Sequence, residues 1–167
     1  MASVPTPWQK FPDLPQISRT SLMGTWHIQL TTFPMWLTGT KLRPSLNYGA
    51  IPDDERISDT VTYVTRAGKQ KQIQGYDTQN PERSAHFTWR GKGLLALIRS
   101  DWIVYHLDSQ AGVAGIYFTR TPFTPEGVDI VTRDAEPPNA LIESARSVTA
   151  AISNLAPLFS NLRPVFK

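Results

Sequence analysis

The sequence contains no cysteine among its 167 residues. Small secreted domains commonly rely on disulfides, so this absence favours a reducing compartment, and it excludes thiolate chemistry. The longest apolar run, residues 94–98, is far too short to cross a bilayer as a helix. The first twenty residues also lack the basic start and apolar centre of a secretory signal. We therefore predict a cytoplasmic protein with no membrane insertion.

Charge is sparse and scattered along the chain. The 17 basic and 14 acidic residues give a net charge of +3, and no long block of one sign occurs. The only short basic cluster, residues 69–71, lies beside Gly68, where a turn is expected. A phosphate-binding face needs many convergent cations, so the sequence does not predict nucleic-acid binding.

Short segments rich in β-branched and aromatic residues follow one another at hairpin spacing. Residues 60–65 and 72–76, for example, flank Ala67-Gly68-Lys69 and predict a hairpin. The predicted strands cover residues 24–32, 42–50, 60–65, 72–76, 86–90, 94–98, 102–107, 114–120 and 128–132. About eight to nine such strands predict an all-β fold, an up-and-down antiparallel barrel whose closure removes the sheet edges.

The pattern changes after Pro137-Pro138, where apolar residues recur at helical spacing. The apolar stripe consists of Leu141, Ile142, Ala145, Val148, Ile152 and Leu155. We expect one C-terminal α-helix packed on the outside of the barrel, because its polar face carries too few cations for a membrane surface. The chain thus divides into a Pro-rich N-terminal segment (1–19), a barrel (20–135) and a C-terminal helix and tail (136–167).

Two motifs resemble the sequence signatures of the lipocalins. Ser21-Leu22-Met23-Gly24-Thr25-Trp26 resembles their opening Gly-x-Trp signature, and Thr119-Arg120-Thr121-Pro122 is similar to the later Arg-containing one. The middle signature is matched imperfectly by Ser100-Asp101-Trp102, which indicates an outlying, intracellular member of the lipocalin/calycin superfamily. The resemblance implies that Trp26 closes the floor of the barrel and that Arg120 crosses it in a cation–π contact.

The resemblance also implies a carrier or sequestering protein that binds a small hydrophobic molecule inside the barrel. An eight-stranded barrel holds either packed side chains or one small ligand, so aromatic residues could either line a cavity or fill the core. Tyrosine and tryptophan recur on nearly every predicted strand. The candidate ligand-binding residues are Tyr48, Tyr63, Tyr76, Trp89, Trp102 and Tyr117.

A second hypothesis is a cofactor-free enzyme, since barrels related to lipocalins host cyclisations and isomerisations. Such a pericyclase-like cyclase or isomerase would act on a polyketide, polyene or terpenoid-like substrate in natural-product biosynthesis, using shape and a few polar groups. The candidate catalytic residues are Tyr105, His106 and Arg90. We expect His106 to share a strand face with Val104 and Trp102, and Arg90 either to mark a bend or to meet an anionic ligand group.

No motif predicts a metal or a cofactor. His27, His86 and His106 are scattered without carboxylates at ligand spacing, and Asp53-Asp54-Glu55 is typical of a solvated loop. Dinucleotide and phosphate-loop patterns are also missing. We expect a small hydrophobic ligand or substrate as the partner and a monomer or weak homodimer. A barrel that acts only as a protein-interaction platform remains a third hypothesis if the aromatic residues fill the interior.

Overall fold

A computed structural model describes residues 6–11 and 13–167. In that part of the chain, nine antiparallel strands form one sheet. The strands are β1 (Gly24–Thr31), β2 (Lys41–Ile51), β3 (Asp54–Thr65), β4 (Gln70–Gln79), β5 (His86–Gly91), β6 (Arg99–Asp108), β7 (Val113–Phe118), β8 (Gly127–Thr132) and β9 (Arg163–Pro164). Strands β2 to β8 pair in sequence order, and β1 pairs with both β2 and β8, which closes the barrel. The short β9 adds to β1. The predicted up-and-down barrel is confirmed.

Alternating side chains divide each strand between the barrel interior and its outer wall. On β3, Asp59 and Val61 point inward, whereas Thr60 between them faces outward and pairs with Asn47 and Gln74. The β3–β4 hairpin turns at Gly68, which has a φ of +79° that favours glycine. The pattern of β-branched residues in this hairpin therefore predicted both its strands and its turn.

One predicted strand, residues 94–98, is wrong. A single 3₁₀ turn covers Gly93–Leu95, and β6 begins only at Arg99. The chain folds back tightly here, because Gly91 lies so close to Leu95 that a side chain at Gly91 would collide with it. The fold-back leaves Leu94 fully exposed at one end of the barrel.

The described chain also contains four α-helical segments, α1 (Arg19–Leu22), α2 (Pro34–Leu37), α3 (Asn139–Ala151) and α4 (Ala156–Phe159), and two further 3₁₀ turns at Pro7–Lys10 and Ser153–Leu155. Helix α3 contacts β7 and β8 from outside, which confirms the predicted C-terminal helix. Its buried Thr149 accepts a 2.7 Å hydrogen bond from the hydroxyl of Tyr105 in the barrel wall. The helix ends before Ile152, which adopts an extended conformation. No helix of the described residues is long and apolar enough to cross a membrane.

The floor of the barrel is closed by Trp26, but the arginine that covers it is Arg133 and not the predicted Arg120. The Arg133 guanidinium lies 3.8 Å from the centre of the Trp26 ring and donates hydrogen bonds to the carbonyls of Ser21 and Thr25. The indole of Trp26 donates to the carbonyl of Leu22. Arg120 is exposed and follows β7, which pairs with β6 and β8, whereas Arg133 follows β8, which pairs directly with β1.

Candidate functional site: an apolar cavity with buried carboxyl groups

A cavity of about 600 Å³ lies inside the barrel. Three segments surround it at one end: the start of α2, the turn between β5 and β6, and the loop between β7 and β8. Its lining consists of Phe33, Pro34, Met35, Leu46, Tyr48, Asp59, Val61, Ile73, Trp89, Leu95, Ile98, Ser100, Trp102, Phe118, Thr121, Phe123, Thr124 and Pro125. The lining is predominantly apolar, and none of these residues is basic.

Aromatic rings form much of the cavity wall. The ring of Trp102 stacks on Tyr48 with centroids 5.4 Å apart and on Phe87 at 4.3 Å. The indole of Trp89 lies directly over Gly75 on β4, where any side chain would collide with it. Glycine at this position thus lets the Trp89 ring lie flat against the wall and leaves the centre of the barrel open.

Two lining residues, Tyr48 and Asp59, bring ionisable groups to the cavity. They pair directly across strands β2 and β3, and each is at least nine-tenths buried, with 4% and 6% exposure. The Tyr48 hydroxyl makes no hydrogen bond to any described residue. Burial, reinforced by the charges of nearby carboxyl groups, raises the pKa of Tyr48 well above its usual value. Tyr48 therefore presents a neutral hydroxyl to the cavity.

Behind Asp59 lies a second carboxyl group, that of Asp77 on β4. The Trp102 indole donates a 2.9 Å hydrogen bond to Asp77 Oδ1. Asp77 Oδ2 and Asp59 Oδ1 are fully buried and accept no hydrogen bond from any described N–H or O–H donor outside the pair. The two carboxyl groups interact closely enough for each to change the pKa of the other.

The pKa values of both carboxyl groups are raised, as expected for acids removed from water. Burial raises the pKa of Asp59 to about 7, although its interaction with Asp77 opposes the shift. Burial, followed by the charge of Asp59, raises the pKa of Asp77 well above its ordinary value. Because the groups interact, they titrate as one unit. At neutral pH the pair therefore carries at least one proton and at most one negative charge.

A third buried carboxyl, Asp129 on β8, also faces the interior but does not line the cavity. It pairs across the sheet with Ile116 and Thr31, and it is 2% exposed. Burial raises the pKa of Asp129 to about 7, although the nearby Thr31 side chain acts in the opposite direction. The described residues contain no buried lysine or arginine to balance these acids. They also contain no cluster of three or more metal-binding side chains.

Of the predicted ligand-binding residues, the structure places Tyr48, Trp89 and Trp102 in the cavity wall. Tyr63 also points inward but packs edge-on against Trp36, with centroids 5.7 Å apart, beyond the cavity lining. The cavity therefore brings together three of the six aromatic residues, contributed by β2, β5 and β6.

Three other predicted residues lie outside the barrel. Tyr76 faces outward beneath the guanidinium of Arg56, which lies 4.7 Å from its ring centre. Arg90 borders the same outer groove. Tyr117 packs under the N-terminal segment, where its hydroxyl donates a 2.5 Å bond to Glu126. Side chains alternate along each strand between the interior and the outer wall, and these three residues occupy positions that face outward.

Tyr105 and His106 are on the outer wall as well, so the expected common face of His106, Val104 and Trp102 is wrong. The pairing of β6 with β7 shifts by one residue between Val104 and His106, which makes a β-bulge at Tyr105. His106 consequently pairs with Gly115, between the inward positions 114 and 116. Gly115 has no side chain, and this leaves room for the Tyr105 ring.

Asp59 and Asp77 are not among the residues predicted from the sequence, although the sequence contains a signal for both. Asp59 precedes the inward-facing Val61 by two residues, and Asp77 follows the inward-facing Ile73 by four. Both acids thus occupy the inward phase of their strands. An acidic residue that lies an even number of positions from inward-facing apolar residues on the same strand therefore predicts a buried carboxyl group.

The barrel is similar in structure to several solved proteins, although its sequence differs from theirs at most positions. No protein-family model and no curated protein matches the sequence. Insecticyanin from the tobacco hornworm Manduca sexta is 12% identical, with a TM-score of 0.66 over 94% of this chain and 86% of that one. Lobster apocrustacyanin A1 is 13% identical, with a TM-score of 0.64 over 90% and 79%. The chain has the lipocalin fold. The siderocalin Ex-FABP shares this fold at 11% identity, with a TM-score of 0.59 over 88% and 95%.

The lipocalin fold explains the arrangement of the floor and the cavity. The short α1, the Gly24-Thr25-Trp26 entry into β1 and the covering Arg133 seal one end. The cavity lies between this floor and the loops at the other end, with Trp102 beside both the aromatic wall and the carboxyl pair. A molecule inside the barrel would therefore contact Tyr48 and Asp59 from the open end.

Proposed function

We propose that the protein binds a small, largely apolar molecule in the barrel, as a carrier or a sequestering protein. The cavity of about 600 Å³ with its apolar and aromatic lining carries this proposal. Ligand pockets typically measure about 300–1,000 Å³ and combine apolar walls with a few polar groups. A protein of the same fold, Ex-FABP, functions through dual ligand specificities, which supports this use of a lipocalin barrel.

The alternative, a cofactor-free cyclase or isomerase, has no observation in its favour. It depended on Tyr105, His106 and Arg90 as polar partners of a substrate. Tyr105 bonds to Thr149 of the outer helix, and Arg90 borders a groove on the outer surface. None of the three lines the cavity. Binding without chemistry is therefore the function we propose.

A substitution that fills the cavity tests this function. Tryptophan in place of Val61 on β3 would occupy the cavity, whereas tryptophan in place of its neighbour Thr60 would project from the outer wall. The neutral dye Prodan, whose emission shifts to the blue in apolar surroundings, serves as the probe. We expect wild type and Thr60→Trp to bind it and Val61→Trp to lose binding by about tenfold or more, a change that needs only ~1.4 kcal/mol.

Equal binding by all three proteins would place the dye outside the barrel and contradict the proposal. Circular dichroism of each variant controls for folding. Native mass spectrometry of the protein as purified from cells complements the dye, because a retained small molecule in wild type that is missing from Val61→Trp would identify a natural occupant of the cavity.

A further inference from the structure

The proposed function leaves the chemical class of the ligand open, and the buried carboxyl groups narrow it. The cavity is lined by one carboxyl, Asp59, and one phenol, Tyr48, with no lysine, arginine or histidine. A ligand carboxylate would find no cation there and would be repelled by the acid pair. An apolar anion, such as a fatty acid, is thus a poor fit for this interior.

Asp59 and Asp77 have no cationic partner among the described residues, and a ligand could supply one. Within the described residues, the single donor to the pair is the Trp102 indole, and it bonds the far oxygen Asp77 Oδ1. Asp59 lines the cavity and receives no hydrogen bond from a cation or an amide. A buried carboxylate without such a partner is costly, and a cation that enters the cavity would remove this cost.

The remaining wall also favours a positive group. The rings of Tyr48, Trp89 and Trp102 line the space in front of Asp59. Aromatic faces attract cations, most strongly where water is excluded. Tyr48 lies opposite Asp59 on the neighbouring strand, and its hydroxyl makes no hydrogen bond to a described residue, so it can accept one from a ligand N–H.

We infer that the ligand is an apolar molecule with a basic nitrogen, whose ammonium group binds Asp59 and Tyr48 inside the barrel. In the bound state the ammonium donates one hydrogen bond to the Asp59 carboxylate and one to the Tyr48 oxygen. The proton of the acid pair stays on Asp77, which is held in place by Trp102. The apolar part of the ligand packs on Val61, Ile73 and Phe118. This inference rests on the proposed function of the cavity.

Three probes that share one aromatic skeleton test it: 1-naphthylmethylamine, 1-naphthalenemethanol and 1-naphthoic acid. Calorimetric titration of the full chain is done at about pH 8, where the amine is still largely protonated and the acid is ionised. We expect the amine to bind about tenfold or more tightly than the alcohol, and the acid to bind weakest, because a charge-assisted hydrogen bond replaces a neutral one.

Two isosteric variants assign the effect to Asp59. In Asp59→Asn the preference for amine over alcohol should fall by about tenfold, since the carboxylate becomes a neutral amide. Asp129→Asn removes another buried interior carboxyl that does not touch the cavity, so its amine preference should match that of wild type. The alcohol is an internal standard for an intact cavity in each variant.

Each outcome has a distinct meaning. If the alcohol binds but the amine binds no more tightly, or if the acid binds best, the inference is overturned and the proposed cavity function stands. If Asp59→Asn binds the alcohol and keeps the full amine preference, Asp59 is not the anchor, and the inference is likewise overturned. If none of the three probes binds wild type, the proposed function fails, and the inference fails with it.

Discussion

Replacement of Asp129 by asparagine should make the protein more stable, and increasingly so as the pH rises. Burial raises the pKa of this carboxyl from 3.8 to about 7, so the folded state holds a proton that the unfolded state has released. Between these two values folding takes up a proton, and the stability of wild type falls as the pH increases. The asparagine variant lacks this loss.

The size of the effect follows from the shift. About three pKa units at ~1.36 kcal/mol each give a loss of up to about 4 kcal/mol for wild type between pH 4 and pH 8. Relaxation of the barrel and water entry at high pH will reduce it, so we expect a relative gain of about 1–4 kcal/mol for Asp129→Asn over this interval. Asparagine has nearly the same shape and carries no charge over this pH range.

Urea unfolding at pH 4, 5, 6, 7 and 8, followed by tryptophan fluorescence, measures this difference. The acid pair contributes equally to wild type and variant, so the difference isolates Asp129. Asp101 provides a control of opposite sign. Burial would raise its pKa, but the hydrogen bond from Thr88 and the nearby His86 and Arg99 lower it to about 2. The stability that Asp101 contributes is therefore gained between about pH 2 and 4, and Asp101→Asn should be less stable than wild type by a nearly constant amount from about pH 5 to 8. A pH-independent difference for Asp129→Asn would refute the reasoning.

Two further predictions concern the barrel wall. Arg133→Ala should cost about 1–3 kcal/mol of unfolding free energy, because it removes a cation–π contact with Trp26 and two hydrogen bonds, whereas the exposed Arg120→Ala should change it by less than about 0.5 kcal/mol. Equal losses in chemical denaturation would contradict this assignment of the floor. Tyr105→Phe should cost about 1 kcal/mol through the lost bond to Thr149, with Tyr76→Phe as a control whose hydroxyl makes no hydrogen bond to a described residue. If Tyr105→Phe is as stable as Tyr76→Phe, the hydrogen bond between Tyr105 and Thr149 does not stabilise the packing of α3 on the barrel.

The strand pattern could be predicted from the sequence because alternation and turn residues are local properties. The order of the barrel strands and the outer helix follow from them with few alternatives. Register is different, since it depends on which residues lie opposite. The bulge at Tyr105 changes the face of His106, and its single sequence signal is Gly115 on the next strand. The floor arginine likewise could not be chosen between Arg120 and Arg133 without the pairing of β8 with β1.

The composition of the site was harder to predict than the fold. Aromatic residues were reasonable candidates, but Tyr76 and Tyr117 occupy the outward phase of their strands, and only phase separates them from Tyr48 and Trp89. Applied to acidic residues, the same criterion would have found Asp59. Acidic residues in a barrel sequence usually occupy turns, so Asp59 was not predicted as a cavity residue. Its carboxyl group nevertheless sets the electrostatics of the cavity.

Stability and binding make opposite demands on the interior carboxyl groups. An interior filled with apolar side chains would fold more stably than one that holds three acids with no buried lysine or arginine among the described residues. Burial raises the pKa values of both Asp129 and Asp59 to about 7, yet of these two only Asp59 lines the cavity. The pair of variants therefore separates the two demands: both substitutions relieve the folded barrel of a buried charge, but only Asp59→Asn removes the group that a bound cation would neutralise. If Asp59→Asn gains stability in the absence of ligand and loses the amine preference, the carboxyl at this position is maintained for binding and at the expense of the fold.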